Sequence, residues 1–160
     1  MPVRPVLQIR FYVPSDRQAV AELLRPLGMR YPAAGDWVSR RLNDIEQDLA
    51  WCLLGTLDGN VAGVIISTPK GDHVSKLSTC FVGEGFQGHG LSRLLLKAAH
   101  DRWLSEGTTR VYGTVDARLP AWVLEFYARV GFKTVTVVPD RYQPGRDELV
   151  LEFDLHTQTL

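Results

Sequence analysis

One change of hydrophobic period constrains this chain more than any other feature. Val74 to Val82 reads as a strand, Gly83 to Gly90 holds four glycines, and from Leu91 the apolar residues recur at helical spacing through Leu94, Leu95, Ala98 and Ala99. A strand that passes through a glycine-rich turn straight into a helix is the first half of a strand–helix–strand crossover. Such a crossover requires a partly parallel sheet with a helix laid on its face.

The flanking sequence extends the pattern. Val6 to Val13 reads as a strand, and Ser15 with Gln18 is placed to cap the helix that follows. Val20, Leu23, Leu24 and Leu27 share one helical face; Val38, Leu42, Ile45 and Leu49 share another, with Asp36 near its start. Trp51–Leu57 and Val61–Ser67 form a hairpin through Asp58-Gly59-Asn60, because tight hairpins need positive φ at the turn. After the central helix, which stops at Gly107, Thr109 to Val115 reads as a buried strand. Pro120 opens a helix that ends at Gly131, and Phe132–Val138 and Glu148–Leu155 read as two last strands around a polar loop. The expected fold is a single α/β domain over residues 1–160, with a mixed central sheet of about seven strands flanked by about four helices.

Composition excludes several classes. Hydrophobic residues are 45% and charged residues 22%, as in a soluble globular domain. No apolar run reaches the length of a membrane span, and Met1-Pro2-Val3-Arg4 lacks the apolar core of a secretory signal. Eighteen basic side chains balance eighteen acidic ones, nine against eight in residues 1–80 and nine against ten in residues 81–160. That balance disfavours nucleic acid as a partner, since its binders carry a basic excess or stripe. Cys52 and Cys80 lie in apolar runs and match neither a disulfide framework nor a zinc spacing, so the expected setting is reduced and cytoplasmic, with no metal.

The chemistry concentrates in Gln87-Gly88-His89-Gly90-Leu91-Ser92. The first amides of a helix have no internal partners and sit at the positive end of its dipole. Glycines there let a phosphate approach the backbone, each contact contributing roughly 0.3–2 kcal/mol. The glycines alone fit equally well a tight turn with no ligand.

Gln87-x-x-Gly90-x-Ser92 resembles the Gln/Arg-x-x-Gly-x-Gly/Ala motif of the GNAT superfamily, the GCN5-related N-acetyltransferases. Cys80-Phe81-Val82 ahead of it is similar to that family's pantetheine-carrying strand. Phe126-Tyr127-Ala128-Arg129-Val130-Gly131-Phe132 resembles its Phe-Tyr-x-x-x-Gly-Phe segment. Ser92 stands where Gly or Ala is usual, and Pro120 stands where many relatives carry Asn. The resemblance follows the element order over nearly the whole chain.

The resemblance implies acetyl-CoA as acyl donor and an amine as acceptor. The pantetheine arm would lie along Phe81 and Val82, between splayed strands Val74–Val82 and Thr109–Val115. The pyrophosphate would sit on Gly88, His89, Gly90, Leu91 and Ser92 with Arg93 assisting, and a main-chain amide near Val82 would polarise the acyl carbonyl. Direct attack by the amine expels thiolate, and Tyr127 is the implied acid for it. A base or water chain must take the amine's proton; Asp116, at the end of its strand, is the first candidate, before Glu84 and His73. Cys80 reads as a packing thiol, and Lys76, Ser78 and Thr79 on the same strand face either substrate or solvent.

By their position in relatives, loops Pro32–Asp36 and Pro139–Asp147 would line the acceptor site, with Trp37, Trp122, Arg141 and Tyr142 as candidate contacts. The favoured acceptor is a small-molecule amine, with peptide amines also open and a homodimer allowed for. Two other readings compete. Gly83-x-Gly85-x-x-Gly88 formally matches a dinucleotide fingerprint, but Asp116 lies 28 residues past Gly88 where about 20 are expected. An acyl-CoA sensor or inactive interaction module of the same fold is the other.

Overall fold

The Asp58-Gly59 turn sets the register of the first sheet strands. Asp58 and Gly59 have φ of 50° and 82°, both positive as a two-residue hairpin of this kind requires. They join β2 (Trp51–Leu57) to β3 (Asn60–Pro69), antiparallel, with Leu57 opposite Asn60 and Trp51 opposite Ser67. Both strands are buried along most of their length, which is why they read as continuous apolar runs. The structure, a computed structural model, describes residues 2–28 and 34–156.

The remaining elements are β1 (Leu7–Phe11), α1 (Arg17–Gly28), α2 (Ala34–Glu46), β4 (Val74–Val82), α3 (Leu91–Ser105), β5 (Arg110–Asp116), α4 (Ala121–Arg129), β6 (Lys133–Gln143) and β7 (Arg146–Asp154). Short 3-10 turns precede α1 and α3. The strands form one mixed sheet in the order β1-β2-β3-β4-β5-β7-β6, in which β4 and β5 are the parallel pair. No helix among the described residues is long and apolar enough to cross a membrane.

The chain divides into two compact units. The first comprises 1–68 and 79–99. Its core gathers Val20 and Leu24 of α1, Val38, Leu42 and Ile45 of α2, and Cys52, Leu54, Val64 and Ile66 of the hairpin, with Phe81 and Trp37 packed against it. Tyr12 and Arg17 both reach Glu46, at 2.7 and 2.9 Å, linking the start of α1 to the end of α2. The second unit comprises 69–78 and 100–160. There β5 pairs with β7 from Arg110 opposite Asp154 to Asp116 opposite Glu148, and Phe153 packs against Phe132 and edge-on to His100.

Four expectations are corrected. The cap before α1 is made by Asp16, whose Oδ2 accepts the Val13 amide at 2.8 Å, while Gln18 donates to Glu22. A charged carboxylate that also holds Arg10 through two 2.8 Å bonds outcompetes the neutral Ser15–Gln18 pair. Leu49 lies beyond α2 and is exposed, because the helix stops at Glu46. Leu94 is 40% exposed; the buried face of α3 runs instead through Leu91, Leu95, Leu96, Ala99 and Trp103. The loop expected over Pro139–Asp147 is largely strand, with the hairpin turn confined to Pro144-Gly145. The ladder there absorbs Pro139 and a positive-φ Asp140 at irregularities in register.

Candidate active site

In the first unit, Phe81 and Val82 end β4, and Gln87 to Gly90 lead into α3. Gly88 and Gly90 have φ of +86° and +77°, a region that costs an L side chain about 1–2 kcal/mol. A Cβ added at either would meet nothing within 4 Å, so the space over the turn is open. Gln87 Nε2 donates to the Val82 carbonyl at 3.2 Å, tying the turn to the strand end. The first capping bond of α3 runs from the Leu94 amide to the Gly90 carbonyl at 3.2 Å; among the described residues, the amides of Gly88 through Arg93 find no acceptor. His89 and Arg93 are exposed, Ser92 is half-buried, and Leu91 is buried. Unsatisfied amides at a helix start, an open approach and a nearby guanidinium form the donor set a diphosphate requires.

Strand β4 departs from simple alternation. Ser75, Leu77 and Thr79 are buried in turn, yet the next buried residue is Val82, while Phe81 packs on the α1–α2 core. The buried set therefore leaves strict alternation after Thr79. Val82 is turned toward α3: its Cγ2, Leu91 and Leu95 crowd the place where a side chain on Gly63 would sit. The Gly83 amide donates to the Ala62 carbonyl at 2.9 Å. Thr79 is 5% exposed, and its hydroxyl has no partner among the described residues.

In the second unit, the registered β4–β5 pairs run only from Val74–Arg110 to Lys76–Tyr112, although β5 continues to Asp116. Tyr127, half-buried on α4, is held edge-on against Phe126 and Phe132, each with ring centroids 5.6 Å away. Asp116 Oδ2 accepts from Arg146 Nη2 at 2.7 Å and Nε at 3.1 Å, and its Oδ1 accepts the Arg118 amide at 2.9 Å. Burial alone would raise the Asp116 pKa, but the Arg118 amide and the Arg146 guanidinium outweigh it, so the net shift is below the ordinary carboxylate value.

Sequence reasoning missed Glu148. It sits opposite Asp116 across β5–β7, is buried, and pairs with Arg141 at 3.3 Å. Its strand buries Glu148, Leu151 and Phe153, a spacing that strict alternation does not produce. Of the other candidates, Trp37 is half-buried in the first unit, while Trp122 and Glu84 are exposed. His73 Nδ1 lies 3.0 Å from the Gly107 carbonyl. Residues 32 and 33 of the first acceptor loop and the Tyr142 side chain lie outside the described residues. An open cleft of about 400 Å³ in the second unit, lined by Asp72, Val74, Thr109, Arg110, Asp154 and His156, lies where β4 and β5 begin, away from Asp116. Among the described residues, no His, Cys, Asp and Glu side chains gather to hold a metal ion.

The sequence model of the acetyltransferase (GNAT) family matches residues 17–132. No curated protein matches the chain by sequence. Solved structures match over nearly its full length. The ribosomal-protein-S18-alanine N-acetyltransferase of Escherichia coli has a TM-score of 0.80 at 17% identity, with 97% of this chain and 96% of that one covered. An N-acetyltransferase from Staphylococcus aureus Mu50 gives 0.79 at 14%, covering 94% and 99%. The PaiA N-acetyltransferase of Thermoplasma acidophilum, solved with coenzyme A, gives 0.73 at 17%, covering 93% and 99%. At these identities the likeness establishes the fold.

Proposed function

The chain belongs to the acetyltransferase (GNAT) family, and from that premise we propose that its 160 residues act as one N-acetyltransferase domain. It moves an acetyl group from acetyl-CoA to a primary amine, a small-molecule amine in first place, in a reduced cytoplasmic setting. What carries the reading is the run of amides from Gly88 to Arg93 that have no partner among the described residues, opened by two left-handed glycines. Acetyl-CoA, when bound, supplies an activated acyl carbon and a thiol leaving group.

The chain's own residues bind, orient and move protons. The amides of Gly88, His89, Gly90, Leu91 and Ser92 hold the diphosphate, and Arg93 adds a cation that screens it. Gln87 fixes this turn to the strand end through the Val82 carbonyl. Phe81 and Val82 supply the strand edge for the pantetheine arm, and a main-chain amide near Val82 polarises the acyl carbonyl. Tyr127, oriented by Phe126 and Phe132, gives its phenolic proton to the departing sulfur.

Asp116, lowered in pKa by its partners, is a weak proton acceptor near neutral pH. In this reading it fixes the end of β5 to Arg146, and water takes the amine's proton. Purified protein incubated with acetyl-CoA and a panel of small amines, with free thiol and acetylated product followed together, tests the proposal. Product from at least one small amine is expected; acetyl-CoA left intact with every acceptor, peptides included, would remove it.

A further inference from the structure

Thr79 is a buried polar group that the scheme above leaves unused. It is 5% exposed on the interior face of β4, and its Oγ1 has no hydrogen-bond partner among the described residues. A buried hydroxyl without a partner costs about 1–3 kcal/mol, and valine offers a strand interior the same shape without that cost. The imbalance is resolved if the partner arrives with a ligand.

Position along the strand says which part of a ligand that is. The Val82 carbonyl is bound by Gln87, where the glycine turn begins. Thr79 lies three residues earlier in β4, about 10 Å at the rise of a strand. With the phosphates on the turn and the arm running back along the strand, the acyl end comes level with Thr79. The neighbours of Thr79 two residues away along the strand, Leu77 and Phe81, are both apolar. The thioester carbonyl is the polar acceptor at that end of the arm.

Resting on the acetyltransferase reading, we infer that the Thr79 hydroxyl donates a hydrogen bond to the thioester carbonyl oxygen, alongside a main-chain amide of β4 from between Thr79 and Val82. The bond strengthens as negative charge develops on that oxygen during amine attack. The C–N bond forms, the C–S bond breaks, and the proton reaching sulfur comes from Tyr127; Thr79 keeps its own proton throughout.

Thr79→Val and Thr79→Ser test this by melting temperature with acetyl-CoA and with CoA, and by turnover. In the wild type, acetyl-CoA raises the melting temperature more than CoA does. Thr79→Val keeps the CoA shift, loses the extra acetyl-CoA shift, and lowers kcat by about 10²-fold. Without ligand it melts no lower than wild type, and Thr79→Ser restores both the extra shift and the rate. The inference is overturned if Thr79→Val keeps the extra shift and the rate, if it loses the CoA shift as well, if it melts lower without ligand, or if serine does not rescue. A wild type that neither cofactor stabilises refutes the acetyltransferase reading itself, and this inference with it.

Discussion

Gly90→Asp sets a phosphate cradle apart from a turn that only joins a strand to a helix. In the free protein the change is mild. Asp at a φ of +77° costs about 1 kcal/mol, and a carboxylate at the start of α3 returns about 0.3–1 kcal/mol through the helix dipole. Its Cβ meets nothing within 4 Å, so no clash adds to the account. The melting temperature should stay within a few degrees of wild type, where about 1 kcal/mol shifts it by roughly 4 °C. With a diphosphate on the same amides the balance reverses. Two unit charges about 4 Å apart near a protein surface repel by about 4 kcal/mol. Side-chain rotation and salt reduce that by about half, leaving about 2 kcal/mol, or a loss of CoA affinity of about 30-fold. Gly90→Asn imposes the same backbone and nearly the same volume without charge, and should weaken CoA by less than about fivefold. Isothermal titration of CoA into the three proteins reads the comparison. Equal affinity in Gly90→Asp and wild type would refute the cradle, and equal losses in Asp and Asn would refute its electrostatic basis.

Tyr127→Phe should lower kcat at least about tenfold while titration shows CoA affinity within about twofold of wild type; an unchanged rate removes the acid role. The Asp16 carboxylate titrates below its ordinary value, held down chiefly by Arg10 and also by the Val13 amide, against the opposing effect of burial. A depressed folded pKa gives stability that is complete above the unfolded value of about 4 and is lost as pH falls below it toward the folded value. Melting temperatures from pH 7 down to pH 2.5 should therefore fall less steeply below pH 4 in Asp16→Asn than in wild type, and parallel curves would count against the pairing.

The sequence is most legible where a residue type admits one backbone answer. Asp58-Gly59 fixes the hairpin through two positive φ values, and the change of period at Gly83–Gly90 marks the end of β4 and the start of α3. Pro120 and Gly131 bracket α4, and Gly107 follows α3. What periodicity could not foresee is where the period breaks. Glu148 becomes interior because burial in β7 departs from strict alternation, whereas Thr79 keeps the alternation of Ser75 and Leu77 and is a polar residue placed inside it. Leu94 is a strong helix former placed one step outside the buried stripe of α3, where it contributes propensity rather than packing. The Asp116–Arg146 pair joins residues 30 apart through strand register, so it stays hidden until that register is known.

The cradle is tested most directly by following its own amides. Backbone N–H resonances of the ¹⁵N-labelled protein, recorded during titration with CoA, report each donor separately. The amides of Gly88, His89, Gly90, Leu91 and Ser92 are expected to move together, with the downfield displacement of a hydrogen bond to phosphate, and to saturate with one affinity. Saturable CoA binding that leaves these resonances in place while others move would contradict the cradle.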